Sequence, residues 1–315
     1  MKVFISTTTF AEYSKEPLDL LEKQDIGYSL NVYKRKLSEA EISDILGSGQ
    51  YVGIIAGTEP LTKKVLESAK NLRVVSRVGV GMDNVDLESA KRMKIKVFNT
   101  PDVLTDSVAE LTLGLMLCCF RKIALLDRNI RQGIWKKQMG QLLKGKTVGL
   151  IGFGRIGQRV GQLVKAFKAS VISYDLKDDA PILLNELIAS ADIISIHAGS
   201  KDTIIAEKEI ALMKPGAILV NTSRGTAINE KDLLNGLKSG KVSAVGLDVF
   251  ESEPYSGKLK NLDNVVLTAH VGSYAKESAV KYGSDKDKQF WYICPHYWSL
   301  KDNPSLTDEE VASGN

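Results

Sequence analysis

Short apolar runs recur along the chain, and between them apolar positions return every three or four residues. The first pattern marks buried strands and the second marks amphipathic helices. Residues 3–6, 52–56, 74–77 and 97–99 are predicted strands; 38–46 and 62–69 are predicted helices, the second capped by Thr62. A long helix is predicted from Ser107, with Ser107 as N-cap and Glu110 completing a capping box, to about Arg131. A second series starts at 147–151 and continues at 171–174, 193–196, 218–221, 244–247 and 265–267, with helical patterns between. Strands alternating with helices imply doubly wound parallel sheets, and two series joined by one long helix imply two domains.

A length of 315 residues fits two domains of ordinary size. Lys plus Arg number 42 and Asp plus Glu 38, a formal charge of +4 spread along the chain without runs, which argues against a nucleic-acid footprint. No stretch approaches the roughly 18 apolar residues that span a bilayer, and the N-terminus lacks signal-peptide features, so a soluble, cytoplasmic protein is expected. Cys118 and Cys119 fall inside the long helix and read as core thiols; Cys294 lies in the tail, and no metal site is expected.

Gly152-Phe153-Gly154-Arg155-Ile156-Gly157 follows a predicted strand and opens a helix whose buried face is marked by Val160, Leu163, Val164 and Phe167. In that context the first glycine serves a tight turn, the second lets the backbone approach a pyrophosphate, and the third allows close helix packing. The phosphates then meet the unpaired N–H groups of the helix N-terminus. The next strand ends at Asp175, 18 residues past Gly157, where a carboxylate can bind a ribose hydroxyl and repel a 2′-phosphate. The cofactor expected is NAD rather than NADP. His197, after another strand, can line the same crevice or simply pack.

Arg224 follows the predicted strand 218–221 and offers a rigid fork for a carboxylate; the lesser alternative, taken by itself, is a structural ion pair. Glu253 and His270 follow later strands, and a carboxylate partner stabilises the charged form of an imidazole that donates protons. The segments 152–157, 221–225, 246–254 and 268–272 resemble those of the D-isomer-specific 2-hydroxyacid dehydrogenases. Within that family, the stretch from Arg77 to Asp86 is most like that of phosphoglycerate dehydrogenases. The resemblance implies two Rossmann-like α/β domains: a doubly wound parallel-sheet NAD domain over 100–283, and a smaller, flavodoxin-like substrate domain over 1–99 with part of the tail 284–315. It makes Arg224 the substrate clamp, His270 the acid/base and Glu253 its partner. Thr222 joins the glycine fingerprint and Asp175 at the cofactor, Asp248 faces the nicotinamide carboxamide, and Ser107 and Glu110 lie at the cofactor entrance. Val78, Gly79, Val80 and Gly81 present backbone N–H groups to the substrate carboxylate. The reaction implied interconverts a 2-hydroxy acid and its 2-oxo acid, with 3-phosphoglycerate and phosphohydroxypyruvate as the expected pair and a homodimer as the expected assembly.

Three features depart from the family's pattern. Ala269 stands where Pro commonly precedes the histidine. Ala56-Gly57-Thr58-Glu59 lacks the basic residue that usually meets a phosphate in phosphoglycerate dehydrogenases. Beyond about Gly283 the periodicity fails, and Trp291, Tyr292, Cys294, Pro295, His296, Tyr297 and Trp298 crowd together where a closing helix is expected. Two alternatives therefore stand beside the enzyme: an NAD-binding corepressor-like scaffold, and a family member impaired by its altered C-terminus.

Overall fold

The computed structural model describes residues 1–8, 10–12, 14–100, 104–176, 182–200 and 202–281. The tail reading and its consequences fall outside these residues, as does Cys294. The chain divides into two compact units, Met1–Leu104 with Tyr274–Asn315, and Thr105–Ser273. The sequence pattern alone puts the divisions at 99/100 and 283/284.

The first unit carries β1 (Lys2–Ile5), α1 (Glu16–Lys23), β2 (Gly27–Leu30), α2 (Glu39–Gly47), β3 (Gly53–Ala56), α3 (Lys63–Ser68), β4 (Val74–Arg77), α4 (Leu87–Arg92) and β5 (Lys96–Asn99). Its strands form one parallel sheet in the order β2-β1-β3-β4-β5. Thr62 caps α3 by accepting from Val65 N–H, and Ser38 with Glu41 makes a full capping box on α2. Both faces of the sheet are covered. Ile54, Leu66 and Val75 lie in the core on one side, and Val3, Ile5, Leu21 and Ile55 in the core on the other.

The second unit opens with α5 (Thr105–Arg121) and α6 (Ile123–Arg131) and continues with β6 (Thr147–Ile151), α7 (Arg155–Ala166), β7 (Ser170–Tyr174), α8 (Leu184–Ser190), β8 (Ile193–Ile196), α9 (Glu207–Leu212), β9 (Ala217–Asn221), α10 (Glu230–Ser239), β10 (Val242–Leu247) and β11 (Val265–Leu267). A short α11 (Lys276–Lys281) follows in the first unit. The six strands are parallel in the order β11-β10-β9-β8-β6-β7. Val148 and Leu150 pack under α5 and α7, while Ile151, Ile194 and Leu219 pack on the other face. Burying one such Leu or Ile contributes about 1.5–3 kcal/mol, so the strand bearing the fingerprint is anchored from both sides.

The long predicted helix is corrected in two places. It begins at Thr105, so Ser107 is its third residue rather than its N-cap, and it breaks at Lys122, whose φ of 53° is left-handed. The break turns the chain so that α6 has no buried residue at all. Phe167 also departs from expectation: it follows α7 and is 43% exposed, while Gly157, Val160, Gly161 and Val164 make the buried face.

Candidate active site

In the second unit the chain winds outward from β6 in both directions, so the switch point lies between β6 and β8, where open α/β sheets form their ligand crevice. The fingerprint loop stands there. Gly152 has φ +91°, and a Cβ on it would sit 2.6 Å from Ala198 N; a Cβ on Gly157 would sit 2.2 Å from the Gly152 carbonyl oxygen. Only glycine meets both demands. At Gly154 the result is opposite: a Cβ meets nothing within 4 Å, so this glycine leaves space open at the N-cap of α7. Arg155 and Ile156 begin that helix, and Ile156 packs on the core. Asp175 lies just past β7, and its Oδ2 accepts the Phe153 N–H at 2.7 Å, which ties the predicted ribose ligand to the glycine turn.

His197 lies beside the same turn. Its Nε2 is 2.9 Å from Ser195 Oγ, whereas Nδ1 is buried without a hydrogen-bond partner. Burial pushes the imidazole down to about 4, so it stays neutral at ordinary pH. An open glycine cradle, helix N–H groups, a carboxylate at the next strand and an orphaned polar atom together fit a dinucleotide.

The second cluster sits at the ends of β9, β10 and β11. Asn221 shapes the first loop: its Nδ2 donates to the Arg224 carbonyl at 2.8 Å, and its Oδ1 accepts both the N–H and the hydroxyl of Ser223. Arg224 donates to the Ser223 carbonyl at 2.8 Å, and Thr222 Oγ1 lies 2.9 Å from Thr112 Oγ1 on α5. A Cβ on Gly225 would fall 1.9 Å from the Phe250 carbonyl carbon, so glycine lets the β9 and β10 loops touch.

Asp248 organises the third loop. It is fully buried, and its carboxylate accepts from Thr268 Oγ1 at 2.6 Å and from the N–H groups of Val271 and Gly272, both at 2.8 Å. Its carbonyl takes the His270 N–H at 2.8 Å. These bonds hold His270 at φ 52°, a left-handed position that costs a non-glycine residue energy unless its surroundings fix it. His270 Nδ1 then reaches Glu253 Oε2 at 2.9 Å, while Glu253 Oε1 accepts the Phe250 N–H at 3.1 Å. The two side chains are 47% and 37% exposed, so the pair stabilises the fold little. Its effect is orientation: the carboxylate fixes the Nδ1–H tautomer and leaves Nε2 to exchange a proton.

The structure thus brings Arg224, Glu253 and His270 onto neighbouring strand ends of the unit that carries the glycine turn. Other expected site residues carry contacts of their own. Asp248, expected at the nicotinamide, already holds three donors in the His270 loop. Ser107 donates to the Gly272 carbonyl at 2.6 Å, steadying that loop from α5. In the first unit, Val78 N–H is taken by the Ala56 carbonyl and Gly79 N–H by Thr100 Oγ1, at 2.9 and 2.8 Å. Only Val80 and Gly81 of the four keep N–H groups with no protein acceptor among the described residues.

Cys118 is half-buried, and the Cys119 thiol is pushed up to about 12 by burial, which fits core packing. Among the described residues no cluster of His, Cys, Asp or Glu could hold a metal, and no helix is long and apolar enough to cross a membrane. A polar group around Ser6, Asn31, Glu59 and Asn84 was not legible in the sequence, where only the absence of a basic residue near Glu59 stood out.

A dinucleotide cradle beside an imidazole–carboxylate pair and an arginine fork defines a nicotinamide-dependent oxidoreductase. The profile described as "D-isomer specific 2-hydroxyacid dehydrogenase, NAD binding domain" matches residues 113–272. The chain is 40% identical to the hydroxypyruvate reductase of Thermotoga maritima over 284 residues, 85% of this chain and 92% of that protein. It is 40% identical to the D-3-phosphoglycerate dehydrogenase of Methanocaldococcus jannaschii over 268 residues, 79% of this chain but 50% of that longer protein. Its fold superposes on a glyoxylate reductase from Paecilomyes thermophila with a TM-score of 0.81 at 26% identity, covering 98% and 97% of the two chains. The chain belongs to the D-isomer specific 2-hydroxyacid dehydrogenase family and is an NAD-dependent enzyme of that class.

Proposed function

We propose that the chain reduces small 2-oxo acids to 2-hydroxy acids, with hydroxypyruvate and glyoxylate as the substrates of first choice. The observation that carries the mechanism is the Glu253–His270 pair, locked by Asp248 in the unit that holds the glycine turn. NADH supplies the hydride when bound. His270 Nε2 gives its proton to the carbonyl oxygen as charge develops there, and Glu253 holds the ring in place through Nδ1. Arg224 pairs with the substrate carboxylate. Gly152, Gly154, Gly157, Arg155 and Ile156 seat the pyrophosphate, Asp175 the ribose, and Thr222 the nicotinamide side.

Loss of NADH absorbance against hydroxypyruvate, glyoxylate, pyruvate and phosphohydroxypyruvate tests the reading, with H270A as control. Turnover lost in the variant supports it; intact NAD binding with no turnover points to the scaffold or impaired-enzyme alternative. A second reading, 3-phosphoglycerate oxidation, is favoured by the Arg77–Asp86 stretch and by the Methanocaldococcus relative's name. The same panel separates the two.

A homodimer is part of this proposal. α6 and the segment after it expose Ile123, Ile130, Ile134, Trp135, Met139 and Leu142, a concentration of apolar side chains that a second copy can cover. Sedimentation of wild type against W135D tests it: a dimer that dissociates in the variant supports the assembly. A cytoplasmic location completes the reading, to be checked by fractionation.

A further inference from the structure

The loop that carries Glu253 lies between two buried residues, Val249 and Leu259, and is exposed over most of its length. Glu251, Ser252, Glu253 and Pro254 are exposed, as are Ser256 and Lys258; Phe250, Tyr255 and Gly257 are the sheltered positions. Core packing therefore holds the two ends of the loop and leaves Glu253 at its tip. Holding such a side chain in one rotamer opposes its conformational entropy, so the backbone beneath it has to be fixed first.

Two contacts close the loop on itself. The Phe250 and Tyr255 rings stack with centroids 4.2 Å apart and planes 24° off parallel, joining the residues on either side of the exposed stretch. Phe250 is also the residue whose N–H is accepted by Glu253 Oε1 at 3.1 Å. Tyr255 is then tied to the body of the unit through its hydroxyl, which donates to Glu230 Oε1 on the first turn of α10 at 2.6 Å and accepts the Leu259 N–H at 3.2 Å. A Cβ on Gly257 would sit 2.3 Å from the Tyr255 oxygen and 2.5 Å from Glu230 Oε1, so the glycine there makes room for the pair. Burial, and after it the Glu230 hydrogen bond, push the Tyr255 hydroxyl up to about 12, so it keeps its proton and stays a donor at ordinary pH. One chain of contacts thus runs from Glu230 through Tyr255, Phe250 and Glu253 to His270 Nδ1, which lies 2.9 Å from Glu253 Oε2.

We propose that Tyr255 and Glu230 are positioning residues: their hydrogen bond holds the 250–255 loop in the arrangement that aims Glu253 at His270 Nδ1 and leaves Nε2 for proton exchange. The half-exposed Glu253–His270 contact is weak by itself, so its geometry has to come from the anchored loop. The inference rests on the proposed function in one respect, that His270 exchanges the proton of the reaction. Misplacing a reacting group by about 1 Å from a distance can cost about 100-fold in rate.

The test combines turnover with a spectrum that needs none. Y255F keeps the ring stack and removes the hydroxyl, E230A removes the acceptor, and E230Q keeps an acceptor oxygen; thermal melting verifies that each folds. In NADH-dependent reduction of hydroxypyruvate, Y255F and E230A are expected to lower kcat about tenfold with both KM values within about twofold, and E230Q to retain most of it. In an E253A background, Y255F is expected to change kcat less than about twofold, because the group it aims is gone. The spectrum is that of the full chain labelled with the heavy nitrogen isotope in its three histidines, recorded at alkaline pH with H270A to identify the His270 signals. Wild type is expected to show the Nδ1–H tautomer and Y255F a mixture with the Nε2–H form. Unchanged kcat in folded Y255F, an equal loss in the E253A background, E230Q as impaired as E230A, or the same tautomer in wild type and Y255F overturns the proposal. If either Y255F or E230A fails to fold, the other, compared with E230Q, decides. A wild type that does not reduce hydroxypyruvate would sink the reductase reading, and the tautomer comparison would still decide the role of Tyr255.

Discussion

Both units are parallel sheets whose chain winds outward from an inner strand, and both place a crevice at the switch point; they treat that crevice in opposite ways. Between β6 and β8 the protein leaves room: Gly154 has open space around it, and His197 keeps an unpartnered nitrogen. Between β1 and β3 the protein fills the place with Ser6 and Glu59 and satisfies them through Asn31, Asn84 and Gly57. Topology supplies a place for a ligand, and residue choice decides whether it stays open.

The largest effect is expected from H270A. It removes the proton donor from the open unit and should lower NADH-dependent turnover by about 10² to 10⁴, with NAD affinity retained in a fluorescence titration. If turnover stays within threefold, the chemistry lies elsewhere. Next come two glycine substitutions with opposite signatures. G157A forces a Cβ to 2.2 Å from the Gly152 oxygen and is expected to cost about 3 kcal/mol and most NAD binding. G154A meets no protein atom and is expected to leave the melting temperature unchanged while weakening NAD roughly tenfold. Equal melting temperatures for the two would contradict the division between packing and cradle glycines.

The two crevices should also answer pH with opposite signs. His197 is held near 4 in the fold against 6.5 ordinarily, so both states are neutral above about pH 6.5. As pH falls toward 4 the unfolded chain takes up a proton that folded His197 refuses, and stability drops by up to about 3 kcal/mol. Glu59 is raised by burial, so it contributes stability at low pH that is lost as pH rises through its folded value. Urea melts of the NAD-free chain at several pH values, with H197N and E59Q, test both limbs; each variant should flatten one. Smallest is E59A at neutral pH, which leaves the Ser6 and Gly57 donors unsatisfied and is expected to cost about 1–3 kcal/mol in the same melts.

How much of this was legible depends on where each signal is stored. Buried strands such as β6 and β8 announce themselves as apolar runs with turn residues at their ends, and Thr62 before an amphipathic stretch announces a cap. β2 was missed because an edge strand of Gly27, Tyr28, Ser29 and Leu30 is exposed or half-exposed throughout and needs no apolar run. Ser107 misled because a Ser three residues before a Glu makes the capping pattern inside a helix as well as at its start. The left-handed break at Lys122 has no side-chain signature. At the site, Arg224, Glu253, His270 and the glycines were legible because each follows a strand end at a telling spacing. The division of labour in the turn at 78–81 was not: Ala56 and Thr100, which take two of its four N–H groups, lie about 20 residues away in opposite directions along the chain. Tertiary partners of that kind leave no local trace.

The break after α5 also sets how the protein can be watched. It carries the following segment away from the core, so that Trp135 is 86% exposed. An indole in water emits at long wavelength, and one covered by apolar side chains emits at shorter wavelength and resists quenching by small solutes. In a chain with Trp291 and Trp298 replaced by Phe, the emission of Trp135 on dilution would therefore test whether the proposed second copy covers this face, with no probe attached and no substrate present.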